Sequence, residues 1–225
     1  RETPPHGAGA RKPLSSPPVP GRLGGMTIAS LPVILLAAGA STRMRGRDKL
    51  MEDIGGEPLL RRQARLARGI GPVTVALPPP PHPRYTALSG LDITPLPVPE
   101  AAEGMAASLR RAFAALPLDT PAAMVLLADM PALEARDLAR LAAAVNLTGE
   151  TLIWRASTAD GKPGHPIIFA AALFDQLKQL RGDDGGRAVV RAAADRMQLV
   201  PLPDQRARRD LDTPEDWAAW RAEQE

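Results

Sequence analysis

The run Val33–Ala38 is apolar at every position and stops abruptly at Gly39. A short uninterrupted apolar run closed by glycine is the pattern of a strand buried on both faces of a parallel sheet. Such a strand demands helices on both sides of it, and the rest of the chain supplies them. Val73–Leu77, apolar but for Thr74 and closed by Pro78, and Met124–Ala128, closed by Asp129, are short runs of the same kind. Asp92–Val98, Thr151–Ala156, Pro166–Phe169 and Gln198–Leu202 read as further strands. Between them, Pro58–Ile70, Ala106–Leu116, Leu133–Val145, Ala171–Leu180, Gly186–Arg196 and Pro214–Glu223 carry helical spacing or helix-start signals. Pro78–Pro81 reads as a surface loop. The alternation predicts an α/β fold, a three-layer αβα sandwich with a Rossmann-like, mostly parallel sheet.

The charge distribution removes one class of function. Residues 1–25 hold Arg1, Arg11, Lys12 and Arg22 against Glu2 alone, with six prolines and five glycines. Residues 26–225 hold 24 basic and 24 acidic groups and are neutral. The basic character therefore belongs to the first 25 residues, expected to be a disordered or vector-derived extension. Residues 26–225 are expected to form one domain with no basic face for nucleic acid. No apolar run approaches the length of a membrane span. The chain has no cysteine, which excludes disulfides and thiol chemistry and is consistent with a reducing cytoplasm.

Small residues follow Gly39, then Arg43, Arg45, Arg47 and Lys49 within seven positions. Neither the P-loop nor the dinucleotide fingerprint has this spacing. Ligands in open α/β sheets bind beyond the carboxyl ends of strands, so a loop leaving a buried strand is well placed. Gly39 permits close backbone approach to a phosphate, Arg43 offers a planar fork, and Lys49 offers a point charge. Asp129, at the end of Met124–Ala128, is placed to hold Mg²⁺ on a triphosphate. Thr213, Pro214 and Asp216 are helix-start residues; Asp210 and Asp212 precede the cap without such a role, and either is a candidate second metal ligand. Pro163 and Pro166 flank Gly164 and His165 in a stiff turn that presents the imidazole. Gly104 and the small residues up to Ser108 allow a flat base to pack against backbone.

Together these residues resemble the molybdenum cofactor cytidylyltransferases of the nucleotidyltransferase superfamily, whose signature is similar to L-A-[AG]-G-x-[SG]-x-R-M-G with a lysine a few positions on. Leu36, Ala37, Ala38, Gly39, Ser41, Arg43, Met44 and Lys49 match it. Arg45 departs from it, standing where glycine follows methionine, so the loop is either one residue longer or shifted. Matches continue at Gly104–Met105, Ser108–Leu109, Ala128–Pro131, Pro163–Pro166, Gly182–Arg187 and Asp210–Asp216. The resemblance implies a nucleotide-diphospho-sugar transferase fold and transfer of CMP from CTP to the terminal phosphate of molybdenum-molybdopterin, with release of pyrophosphate. It implies catalytic roles for Arg43 and Lys49 and nucleotide contacts from Leu36, Ala37, Ala38, Gly39, Ser41, Gly104 and Ser108. Mg²⁺ would sit on Asp129 and Asp212, and the acceptor on Gly164 and His165. A molybdenum hydroxylase is the expected receiver of the product. The alternatives are another acceptor phosphate, GTP as donor, or a non-catalytic molybdenum cofactor carrier.

Overall fold

A computed structural model of the chain, describing residues 31–182 and 185–224, centres on a seven-stranded sheet. The extension at residues 1–25 lies outside the described residues, as do positions 183 and 184 of the Gly182–Arg187 stretch. The first apolar run is β1 (Val33–Leu36). A small hairpin, β2 (Asp53–Ile54) and β3 (Glu57–Pro58), turns through Gly55 and Gly56, both at positive φ. Then come α1 (Leu59–Arg68), β4 (Val73–Leu77), α2 (Pro83–Ala87), β5 (Thr94–Pro97), α3 (Met105–Ala114) and β6 (Ala122–Leu127). The second half holds α4 (Ala135–Ala143), β7 (Ile153–Ser157), β8 (Pro163–Ala170), α5 (Phe174–Lys178), α6 (Arg187–Ala192), β9 (Met197–Pro201) and α7 (Pro214–Ala222).

The strands lie in the order β5-β4-β1-β6-β8-β7-β9. All neighbours are parallel except β8, which runs antiparallel to β6 and β7. The expected three layers are present. Val33 and Leu35 of β1 and Met124 and Leu126 of β6 face a core shared with α1, α4 and α7 through Leu59, Leu60, Leu138, Leu141 and Trp217. Ile34, Ala123 and Val125 point the other way, into a core with Leu109 and Phe113 of α3, Phe174 and Leu177 of α5, and Val189 and Val190 of α6. Period-two alternation on strands buried on both faces produces this division. No helix among the described residues is long and apolar enough to cross a membrane.

Two features place the site. The chain crosses from β1 outward to β4 and β5, then returns to lay β6 on the other side of β1. The carboxyl ends of β1 and β6 therefore flank a topological switch point, the crevice where open α/β sheets bind ligands. The Ala128 N–H donates to the Leu36 carbonyl (3.2 Å), tying the two strand ends together. Second, because β8 is reversed, its first residues arrive at that same end of the sheet. Ser157 of β7 pairs with Pro163, so the expected turn at Pro163–Pro166 is instead the opening half of β8. β7 pairs with this start at Ser157–Pro163, and the register shifts before pairing resumes at Arg155–Ile167.

Other expected elements shift at their ends. Ala171–Leu180 is a 3₁₀ turn at Ala171–Leu173 followed by α5, and Gly186–Arg196 divides into α6 and a 3₁₀ turn at Ala194–Arg196. The edge strand β5 carries prolines at positions 95 and 97.

Candidate active site

The loop after β1 is held by buried apolar residues set beside its cations. Thr42–Met44 forms a 3₁₀ turn whose Met44 is fully buried, and Lys49–Met51 forms another whose Leu50 is buried. Each anchor follows a cation, so Arg43 and Lys49 are fixed at their bases, with the Arg43 head in solvent and the Lys49 head largely covered. Ser41 (φ 53°), Arg45 (φ 53°) and Gly46 (φ 86°) make the left-handed bends. Arg45 thus adopts a backbone conformation that favours glycine, the residue the family signature carries after methionine. The displaced residue does not remove Lys49 from the site.

The Lys49 ammonium donates to Asp129 Oδ2 (2.5 Å) and Asp212 Oδ1 (2.6 Å). Arg43 pairs with the other oxygen of Asp212. Arg43, Lys49, Asp129 and Asp212, named from separate stretches of sequence, are therefore in one cluster. The Leu211 N–H donates to the Asp129 carbonyl (3.1 Å), which lays the 210–212 segment along the end of β6. Beyond it Thr213 caps α7 in a reciprocal capping box with Asp216, as expected, and Asp216 also accepts from the Asp212 N–H (3.1 Å). Asp210 joins the group: one carboxylate oxygen each from Asp129, Asp210 and Asp212 lie within 4.8 Å of one another.

Partial desolvation raises the carboxyl of the surface residue Asp210 above its ordinary value, with repulsion from Asp129 and Asp212 adding to it. Burial pulls the Lys49 ammonium down, and the two carboxylates outweigh it, so its pKa is raised overall. Asp129 Oδ1 is buried with no hydrogen-bond partner among the described residues. Three convergent carboxylates with an unspent buried oxygen suit a hard divalent cation of the magnesium or manganese type.

On the same loop, a cavity of about 490 Å³ is lined by Ala38, Gly39, Ala40, Ser41, Pro78, Pro79, Pro99 and Ala101, with Asp48, His82 and Arg84 also in its wall. Ala38, Gly39 and Ser41 are in its wall, whereas Leu36 and Ala37 support it from the end of β1. Gly104 and Ser108 do not line it. Gly104 is the N-cap of α3 at φ 98°, Ser108 is buried in that helix, and Ala107 between them packs with Ala38. His165 lines a different cavity, of about 440 Å³, between α3, α6 and β8, with Met105, Leu109, Arg155, Phe169 and Arg187. Burial and the Arg155 charge lower the His165 pKa to about 4, so the ring is neutral near neutral pH. Gly164 is required by packing, because a Cβ there would lie 1.9 Å from the Ala207 carbonyl oxygen. Arg155 Nε donates to the Gly164 carbonyl (2.9 Å), fixing the strand that carries the imidazole.

Two site-building residues escaped the sequence reading. Arg84 and Asp48 form a nearly buried ion pair behind the loop (2.7 Å). The Arg-Asp-Lys order at 47–49 contains half of this signal, but the partner lies beyond the Pro78–Pro81 loop, in a helix of five residues too short to show a period. Arg45 and Arg47 are largely exposed and pair with Glu215 and Glu52.

A family model described as the MobA-like NTP transferase domain matches residues 33–198. A Synechococcus elongatus protein named probable molybdenum cofactor guanylyltransferase is 30% identical over 194 residues, covering 82% of this chain and 95% of that protein. The solved structure of Rv0371c from Mycobacterium tuberculosis superposes with a TM-score of 0.70 at 26% identity, covering 85% of this chain and 98% of that one; the same protein was also solved with manganese. A CMP:2-keto-3-deoxy-manno-octonic acid synthetase solved with CTP shares the fold, at a TM-score of 0.66 and 16% identity, over 87% of this chain and 98% of that one. The chain is a nucleotidyltransferase-fold protein that belongs to the MobA-like NTP transferase domain family.

Proposed function

We propose that this chain transfers a nucleotidyl group, CMP from CTP in the first reading, to the terminal phosphate of molybdenum-carrying molybdopterin. The observation that carries the proposal is the Lys49–Asp129–Asp212 cluster, with Arg43, whose two cations stand on the same loop as Gly39 and Ser41 of the cavity wall. An acceptor phosphate oxygen attacks the α-phosphorus, the bond to the β-phosphate oxygen breaks in line, and pyrophosphate carries away the electron pair. The acceptor is ionised near neutral pH, so no side chain has to remove a proton. The difficulty is bringing two anions together.

Arg43 and Lys49 meet that difficulty by exchanging carboxylate partners for phosphate oxygens of the departing pyrophosphate. Asp129 and Asp212, with Asp210 close by, would hold Mg²⁺ or Mn²⁺; such an ion, when bound, neutralises charge on the triphosphate. The manganese complex of Rv0371c supports that choice of metal class. Ala38 and Gly39 form the floor on which the nucleotide lies. His165, neutral and fixed in β8, can donate or accept one hydrogen bond to the pterin or its phosphate. Arg155 and Arg187 line the same cavity and suit an anionic, flat acceptor. A molybdenum hydroxylase would then receive the product.

Ala38 favours CTP, because the Leu-Ala-Ala-Gly form goes with cytidine in the superfamily that the chain resembles. A second reading, GTP as donor, is favoured by the guanylyltransferase names of the relatives at 30% identity. The test offers CTP, GTP, ATP and UTP in turn, with Mg²⁺ or Mn²⁺ and molybdenum-loaded molybdopterin, and measures pyrophosphate release. Release with CTP alone supports the first reading and release with GTP alone supports the second. Release with none overturns both and leaves the carrier role.

A further inference from the structure

Arg84 is only 1% exposed, yet every hydrogen bond of its side chain goes to the segment between β1 and Lys49. Nη1 donates to the Ala37 carbonyl (2.6 Å), at the start of the loop. Nη2 donates to Ser41 Oγ (3.2 Å), in the middle. Nε and Nη2 take both oxygens of Asp48 (2.8 and 2.7 Å), at its end. One guanidinium therefore closes a loop whose two ends lie eleven residues apart. Asp48 in turn caps the 3₁₀ turn that begins at Lys49, accepting from the Leu50 N–H (3.0 Å). The direction of the Lys49 side chain follows from that turn.

We infer that Arg84, acting through Asp48, is a positioning residue for nucleotidyl transfer: it fixes the curvature of the Gly39–Ser41 cradle and the aim of Lys49. Arg84 reaches the cavity wall but spends its charge on Asp48 and four of its five N–H donors on the loop, so it acts through the loop and not as a phosphate ligand. It comes from α2, a helix that starts at Pro83 with the His82 ring accepting from the Arg84 N–H (3.3 Å). That cap sets the Arg84 backbone, so the proline-rich stretch acts as a mount for the clamp. A lysine here would retain charge and reach but not the planar fork that serves three partners at once.

The role rests on the proposed nucleotidyl-transfer function. Arg84→Ala is a poor probe, because it strands the half-buried Asp48 carboxylate and opens a cavity where a buried guanidinium stood, and lost folding would mimic lost aim. The informative pair is Arg84→Lys and the double variant Arg84→Met with Asp48→Leu, which replaces the ion pair by apolar groups of similar volume. Melting temperature, KM for the nucleotide and kcat are measured for each. In Arg84→Lys, kcat should fall on the order of 10²-fold, the cost of a misplaced reacting group, with a smaller change in KM. The double variant should recover part of the melting temperature, the unpaired Ala37 carbonyl withholding the rest, and not kcat. Wild-type kcat in Arg84→Lys, or kcat recovered together with melting temperature in the double variant, overturns the positioning role alone. A wild-type chain that turns over no nucleoside triphosphate overturns the proposed function and this role with it.

Discussion

Asp48 and Lys49 are adjacent in sequence and sit in two ion-pair clusters built on opposite plans. Around Asp48, the cation is Arg84, almost sealed from solvent, and one of its bonds goes to a backbone carbonyl. Around Lys49, every partner is a carboxylate, the ammonium's side chain keeps 14% exposure, and Arg43 at the cluster's edge is 70% exposed. A guanidinium bound to main chain cannot leave without stranding a carbonyl. An ammonium held only by carboxylates can leave when a metal ion takes its place and a phosphate offers new oxygens. The first cluster is a fixture and the second is an exchange site. The peptide bond between residues 48 and 49 joins them, so the precision of one is passed to the other.

The largest effect that could break this comparison is expected from Lys49→Met. Turnover should drop by roughly 10²- to 10³-fold, the range for losing one preorganised donor at a reacting centre. The melting temperature should stay near that of the wild type, and calorimetry without nucleotide should show tighter manganese binding, since no ammonium competes for Asp129 and Asp212. A loss of stability comparable to that of an Arg84 variant would mean that Lys49 is structural after all.

Acid sharpens the contrast next. Burial pushes the Asp48 carboxyl up, but the Arg84 fork outweighs it and lowers its pKa below the ordinary 3.8. The stability Asp48 contributes is therefore present above pH 3.8 and is lost only as pH falls through that lowered value. His165 behaves differently, with its pKa depressed from 6.5 to about 4. Between those values the unfolded chain binds the proton that the folded chain refuses, so stability should decline as pH falls from 6.5 towards 4. Melting curves across this window should flatten in His165→Asn. An unchanged slope in that variant would assign the loss to another group.

The smallest effect should come from Arg45→Gly. Arg45 holds φ 53° without a buried role. Relief of the left-handed strain is offset in part by the greater freedom of glycine in the unfolded chain, so chemical denaturation should show a gain of no more than about 1 kcal/mol. A clear loss would show that the Arg45–Glu215 pair matters more than the backbone.

The parts of the molecule legible in the sequence are those whose signal is local. Val73–Leu77 is read to the residue because an apolar run between Pro72 and Pro78 has no other reading. Thr213–Asp216 is likewise complete within four residues. Asp129 is legible from its place at the carboxyl end of an apolar strand, and Asp212 because the helix start beside it needs no carboxylate there. The clamp was not legible. Arg84 lies in a stretch dominated by prolines, in a helix of five residues, too short to show a period. Its partners at Ala37, Ser41 and Asp48 are 36 to 47 positions away. The strand character of Pro163–Pro166 was hidden for a related reason: two prolines resemble a turn until an antiparallel neighbour shows which N–H groups the sheet does not need.

The prolines of β5 carry a further consequence for how this protein meets copies of itself. The Val98 N–H donates inward to the Leu77 carbonyl (2.8 Å), so alternate residues, Leu96 and Thr94, turn their N–H groups the same way. The outward positions are 95 and 97, and both are proline. This rim of the sheet presents carbonyls but no donors, which denies an incoming strand half of the ladder it would need. The opposite rim, β9, keeps outward N–H groups at Met197 and Leu199, and Leu199 is among the few large apolar side chains left exposed. Strand-to-strand growth in both directions, the geometry of a fibre, is closed to this sheet, and edge-to-edge association through paired strands is confined to the β9 side.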